Sequence, residues 1–108
     1  MKLNEIVKHE HTGRSPAGIA YEQAMKVGRR YPVGEHLIAK SPSFALKYAD
    51  EVLKKRFPMG EVAIAASAQH SVDYARYVIR GRFPEGEKAI EAHPRYEKIY
   101  KQFLKSLG

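Results

Sequence analysis

The sequence contains no cysteine. That absence removes disulfides and thiolate metal sites together, and it fits a reducing compartment. No apolar run approaches the ~18 residues that mark a membrane-spanning helix. The first residues, Met1 to Lys8, lack the apolar core of a secretion signal. A soluble, cytoplasmic protein is therefore expected. Only two aspartates are present, Asp50 and Asp73, both at positions that read as exposed on helices. There is no phosphate-binding glycine loop, no His-Glu-x-x-His and no Gly-x-Ser-x-Gly. The histidines at 9, 11, 36, 70 and 93 do not assemble into a ligand set. His9 and His11 alternate around Glu10, with no third partner at a recognisable spacing. No enzyme, no cofactor and no metal are expected.

What the chain does have is positive charge. Its 108 residues carry 19 lysines and arginines against 12 acidic residues, a net charge of +7. The length is that of one domain. The charge favours an anionic partner, whether nucleic acid, anionic lipid or an acidic protein surface.

It also has a repeat. The 26 residues from Ser41 to Ala66 return as Ser67 to Ala92, with twelve positions identical. These include Tyr48/Tyr74, Arg56/Arg82, Phe57/Phe83, Pro58/Pro84, Gly60/Gly86, Glu61/Glu87 and Ile64/Ile90. A worn copy precedes them, from Ser15-Pro16 through Arg30-Tyr31-Pro32 to Gly34-Glu35. A truncated fourth copy begins at His93-Pro94. A fixed period in this range marks stacked helical units. The predicted organisation is an N-terminal arm over residues 1–14 and an all-α helical-repeat domain over residues 15–108. That domain is a short stack of helix–turn–helix units, three and a half in number.

Each unit opens on a start signal. Ser15 and Ser41 place a capping hydroxyl before a proline at the first helical position. Ser67 keeps the cap without the proline, and His93 keeps the proline without the cap. Ala45, Tyr48, Ala49, Val52 and Leu53 follow the 3.6-residue period of a buried helical face. Ser71, Tyr74, Ala75, Val78 and Ile79 match them. In the first copy the apolar set Ala20, Ala24, Val27, Gly28 and Tyr31 is rotated by one residue. The long helix is expected to stop at the aromatic–proline pair, because proline drives the preceding residue out of α geometry. A short second helix follows, with Glu35, Glu61 or Glu87 near its positive end. Such a helix is unstable alone, so the units must bury it between them.

The string from Tyr74 to Glu87 resembles a helical repeat of the form Y-A-x-x-V-I-x-G-R-[FW]-P-E-[GA]-E. That repeat occurs in tailed bacteriophages and other large DNA viruses. The resemblance spans residues 15–108 and is clearest over 41–92. It implies an origin in a phage or prophage, a location in the host cytoplasm and a role in host takeover or counter-defence. It carries over no catalytic residue.

The candidate binding surface is a basic edge. Arg30, Arg56 and Arg82 recur in every full unit, with Arg29, Lys54, Lys55 and Arg80 beside them. Cations at a helix C-terminus also complement the macrodipole, and Arg56 has Glu61 or Glu87 within reach of a pair. The tyrosines read mainly as core, with Tyr77 off the apolar stripe. The leading expectation is a non-catalytic protein that engages a host protein through this edge, with nucleic-acid-handling or defence machinery as the candidate partner. Direct binding of DNA or RNA along the edge is one alternative. Self-assembly through the exposed end of the last copy is another.

Overall fold

The computed structural model describes residues 15–108, so the arm expected over residues 1–14 lies outside the described residues. The fold is all-α, with no strand among the described residues. Helix α1 spans Pro16–Val27 and α2 spans Pro32–Ile38. Helix α3, Pro42–Lys47, runs on into a wider π turn at Tyr48–Leu53. A 3₁₀ turn at Pro58–Gly60 leads into α4, Glu61–Ala65. The third unit repeats this order: α5 at Ala68–Asp73, a π turn at Tyr74–Ile79, a 3₁₀ turn at Pro84–Gly86, and α6 at Glu87–Glu91. Helix α7, Pro94–Leu107, closes the chain.

The caps form where the sequence places them. Ser15, Ser41 and Ser67 each accept a hydrogen bond from the backbone N–H three residues on, at 3.0, 3.2 and 3.3 Å. His93 makes no side-chain cap. The helices lie side by side as a slab of 57 × 28 × 17 Å. Its radius of gyration of 15.7 Å exceeds the ~12 Å of a globular domain of this size. The core is one thin layer running the length of the slab. It holds Ala24, Ala49 and Ala75 from the long helices, Ile38, Ile64 and Ile90 from the short ones, and Phe57 and Phe83 from the turns. Each isoleucine is wholly buried, a contribution of about 1.5–3 kcal/mol apiece.

The long helices stop earlier than the proline rule suggests. Each ends on a left-handed residue four positions before the proline: Gly28 at φ 78°, Lys54 at φ 58° and Arg80 at φ 61°. The way in differs. In the first unit the Gly28 N–H reaches back four residues to the Ala24 carbonyl at 2.9 Å. In the later units the Lys54 and Arg80 N–H groups reach back five, to Ala49 and Ala75. The π turn holds one more residue than an α turn. This accounts for the one-residue rotation of the first copy's apolar face. Tight packing against the turn glycines gives the same alignment. A Cβ on Gly34 would lie 3.0 Å from the Ala20 Cβ, and a Cβ on Gly60 2.8 Å from the Ala45 Cβ. Ala20 and Ala45 are therefore partners at a spacing of 25, although the repeat is 26.

A left-handed conformation costs an L-residue roughly 1–2 kcal/mol that glycine escapes. Lys54→Gly and Arg80→Gly are each expected to stabilise the fold by about 0.5–1 kcal/mol, after glycine's larger loss of chain entropy. The urea midpoint should rise with an unchanged m-value. A fall in the midpoint would mean that the two side chains hold the turn by contacts of their own.

Candidate functional site

The basic edge separates into two kinds of cation. Arg30, Arg56 and Arg82 are held by the glutamate five residues on. Their Nε groups donate to Glu35, Glu61 and Glu87 Oε2 at 3.0, 2.8 and 2.9 Å. Their Nη2 groups donate to the other carboxylate oxygen at 3.4, 3.0 and 2.7 Å. The fork geometry suits a planar guanidinium and a carboxylate. Arg56 pairs within its own unit, with Glu61.

The next unit completes each pair. The hydroxyls of Tyr48, Tyr74 and Tyr100 donate to the same Oε2 atoms at 2.6, 2.6 and 2.7 Å. Those hydroxyls also accept from the backbone N–H groups of Tyr31, Phe57 and Phe83, at 2.7, 2.8 and 3.0 Å. The tyrosine thus supplies the partner of an N–H that would otherwise be buried unpaired. It also fixes the carboxylate that neutralises the arginine. The rings of Tyr48 and Tyr74 stand edge-on to Phe57 and Phe83, with centroids 4.9 and 5.0 Å apart. An arginine, a glutamate and the following unit's tyrosine form a clamp at every junction.

The clamp shows in the titration of its members. Burial pushes the Glu61 carboxyl up, but the Arg56 and Tyr74 hydrogen bonds outweigh it and leave it below the usual range. The Arg82 and Tyr100 hydrogen bonds hold Glu87 down in the same way. Burial, with the bond to Glu35, pushes Tyr48 up to about 12. Tyr74 and Tyr100 are raised for the same reasons. The lowered carboxyls contribute stability above their ordinary pKa, and lose it as pH falls through the folded value. The raised tyrosines contribute stability below pH ~10, and lose it as pH climbs toward the folded value. Stability should therefore be flat through neutral pH and decline below pH ~4.5 and above pH ~10. Circular dichroism across a pH series checks this. Ionisation of all seven tyrosines near pH 10 while the helix signal persisted would contradict the clamp.

The other four cations have no carboxylate partner among the described residues. They sit in the turn that follows each long helix. Positions 28, 54 and 80 hold Gly, Lys and Arg, and positions 29, 55 and 81 hold Arg, Lys and Gly. Every turn thus carries at least one unpaired cation: Arg29, then Lys54 and Lys55, then Arg80. All four are exposed.

Between the second and third units these turns frame a cleft of about 280 Å³. Its lining is Ala49, Asp50, Lys54, Tyr77, Val78 and Arg80. Tyr77 is half exposed, with the Arg76 guanidinium 5.0 Å from its ring centroid. Sequence reasoning separated Tyr77 from the core but did not join it to Lys54 and Arg80. The π turns bring them together, and the sequence carries no direct signal for a π turn.

The histidines lie apart. Ser67 Oγ and His70 Nδ1 are 2.8 Å apart, His36 and His93 are exposed, and His9 and His11 lie outside the described residues. No helix among the described residues is long and apolar enough to cross a membrane.

Comparison of this chain with known protein-family models, with curated proteins and with solved structures finds no match in any of the three.

Proposed function

We propose that this is a non-catalytic binding protein that docks an acidic surface of a protein partner through the turns carrying Arg29, Lys54, Lys55 and Arg80. The observation that carries the reading is the division of the cations. The three recurring arginines are spent on the junction clamps, whereas the turn cations are exposed and unpaired. Neutralising the arginines breaks up the continuous ladder that would track a nucleic-acid backbone. Discrete charges on a rigid edge suit the complementary patches of a protein interface. With the phage origin that its repeat motif implies, the partner is a host protein.

The test is a pull-down from bacterial lysate with the chain and with its Lys54→Glu, Lys55→Glu, Arg80→Glu form. The expected result is a protein retained by the first and lost by the second. Retention by both would remove the basic edge as the binding surface. A gel shift at low and moderate salt covers the nucleic-acid reading. Six neutralised phosphates would give a log–log salt slope of roughly −5, whereas the four turn cations alone would give a shallower one, roughly −3.6.

A further inference from the structure

We infer that the cleft between the second and third units seats an acidic peptide segment of the partner, with carboxylates on Lys54 and Arg80 and an apolar side chain against Tyr77 and Val78. This rests on the reading above and narrows it to one junction.

The repeat supplies an internal comparison. The junction between the first and second units has the same clamp but different residues at the places that line the cleft. Gly28 stands in the place of Lys54, and Glu51 in the place of Tyr77. Allowing for the one-residue offset within the first long helix, Met25 stands in the place of Asp50. Glu51 is itself occupied, accepting a hydrogen bond from the Tyr21 hydroxyl. Among the described residues, two unpaired cations and a half-exposed ring face one opening at the second junction.

Both cations are also held in the left-handed conformation, where the first unit has glycine. Backbone outliers of this kind tend to persist where a side chain is needed for function. The size of the opening limits its occupant. About 280 Å³ falls just below the ~300–1,000 Å³ of small-molecule pockets, so it admits a side chain or two of a larger partner. The sign of the lining limits it further. Asp50 opposes a run of phosphates but can accept a backbone N–H of a peptide. Carboxylates satisfy the two cations, and the floor of Ala49 and Val78 beside the Tyr77 ring takes apolar surface.

The experiment uses substitutions that remove charge without weakening the fold. Fluorescence anisotropy of a short labelled peptide alternating glutamate and phenylalanine is measured against the full chain at low salt. Labelled oligothymidylate forms a second arm. Binding of the peptide is expected, weakened about tenfold by each of Lys54→Gly and Arg80→Gly, since each removes a charged hydrogen bond. Tyr77→Ala should weaken it about as much. Arg29→Ser and Lys55→Ser, outside the cleft, should change it little. Because the two glycine variants are expected to be at least as stable as the parent, lost binding is not lost folding; their urea midpoints check this. Peptide binding that ignores the three cleft variants but falls with Arg29→Ser or Lys55→Ser overturns the inference and leaves the basic edge standing. Absence of peptide binding to every form overturns both. Cleft-dependent binding of oligothymidylate in place of the peptide overturns both in favour of nucleic acid.

Discussion

Tyr74→Phe is expected to destabilise the protein by about 2–4 kcal/mol, although it removes a single oxygen atom. The hydroxyl donates to Glu61 at 2.6 Å and accepts from the Phe57 N–H at 2.8 Å. Deleting it removes a hydrogen bond to a charged acceptor and leaves a buried N–H without a partner. Each loss is ordinarily about 1–3 kcal/mol. Phenylalanine refills the ring's volume, so no cavity adds to the cost. For a domain of this size the melting temperature should fall by roughly 10–20 °C. Tyr77→Phe is the matched control. Its ring is half exposed, and surface substitutions of that kind stay within about 0.5 kcal/mol. If thermal melts placed the two variants within about 0.5 kcal/mol of each other, the clamp would not be what joins the units. Tyr100→Phe should cost less, because it loosens only the final helix.

The second large effect comes from adding a methyl group. Gly86 has φ −96°, a backbone that alanine adopts freely, and alanine restricts the unfolded chain more, a gain of about 0.4–1 kcal/mol. Chain entropy therefore favours Gly86→Ala. The packing does not. A Cβ there would lie 2.7 Å from the Ser71 Cβ and 2.7 Å from Phe83 Cδ2, and closer still to the Ser71 hydroxyl oxygen. That hydroxyl is anchored, donating to the Ile64 carbonyl at 2.9 Å. Neither neighbour is the loose end of a long side chain. Overpacking at such a site costs about 1–3 kcal/mol, which outweighs the entropic gain. Chemical denaturation should show the loss, and Ser71→Gly in the Gly86→Ala background should recover part of it. A variant as stable as the parent would mean that the short helix can slide on its neighbour.

Much of this was legible before the fold. The serine caps, the proline stops and the alternation of long and short helices depend on local chemistry, and local chemistry is written at fixed spacings. The clamp was half legible. Arg, Glu and Tyr recur as columns, with Glu five residues after Arg and Tyr thirteen after Glu, but the repeat alone left open which glutamate Arg56 faces. The left-handed turn was visible only through Gly28. Aligning it with Lys54 and Arg80 implies one backbone shape for all three, yet neither lysine nor arginine advertises a positive φ. The π turn left one trace, the rotated apolar face of the first copy. Reading it required knowing that Ala20 and Ala45 touch equivalent glycines. The cleft was the least legible part. It forms between side chains of two units, and its members differ from the repeat where the rest of the chain obeys it.

The clamps reach one unit along the chain and no further. Tyr48 fastens the first loop, Tyr74 the second and Tyr100 the third. The slab therefore behaves like a row of latches in series. Thermal opening should begin with α7, a single helix tied in by Tyr100, and work inward. The Lys54–Arg80 opening depends on the middle latch, shielded by one on either side, so the proposed recognition surface is among the last parts of the molecule to come undone.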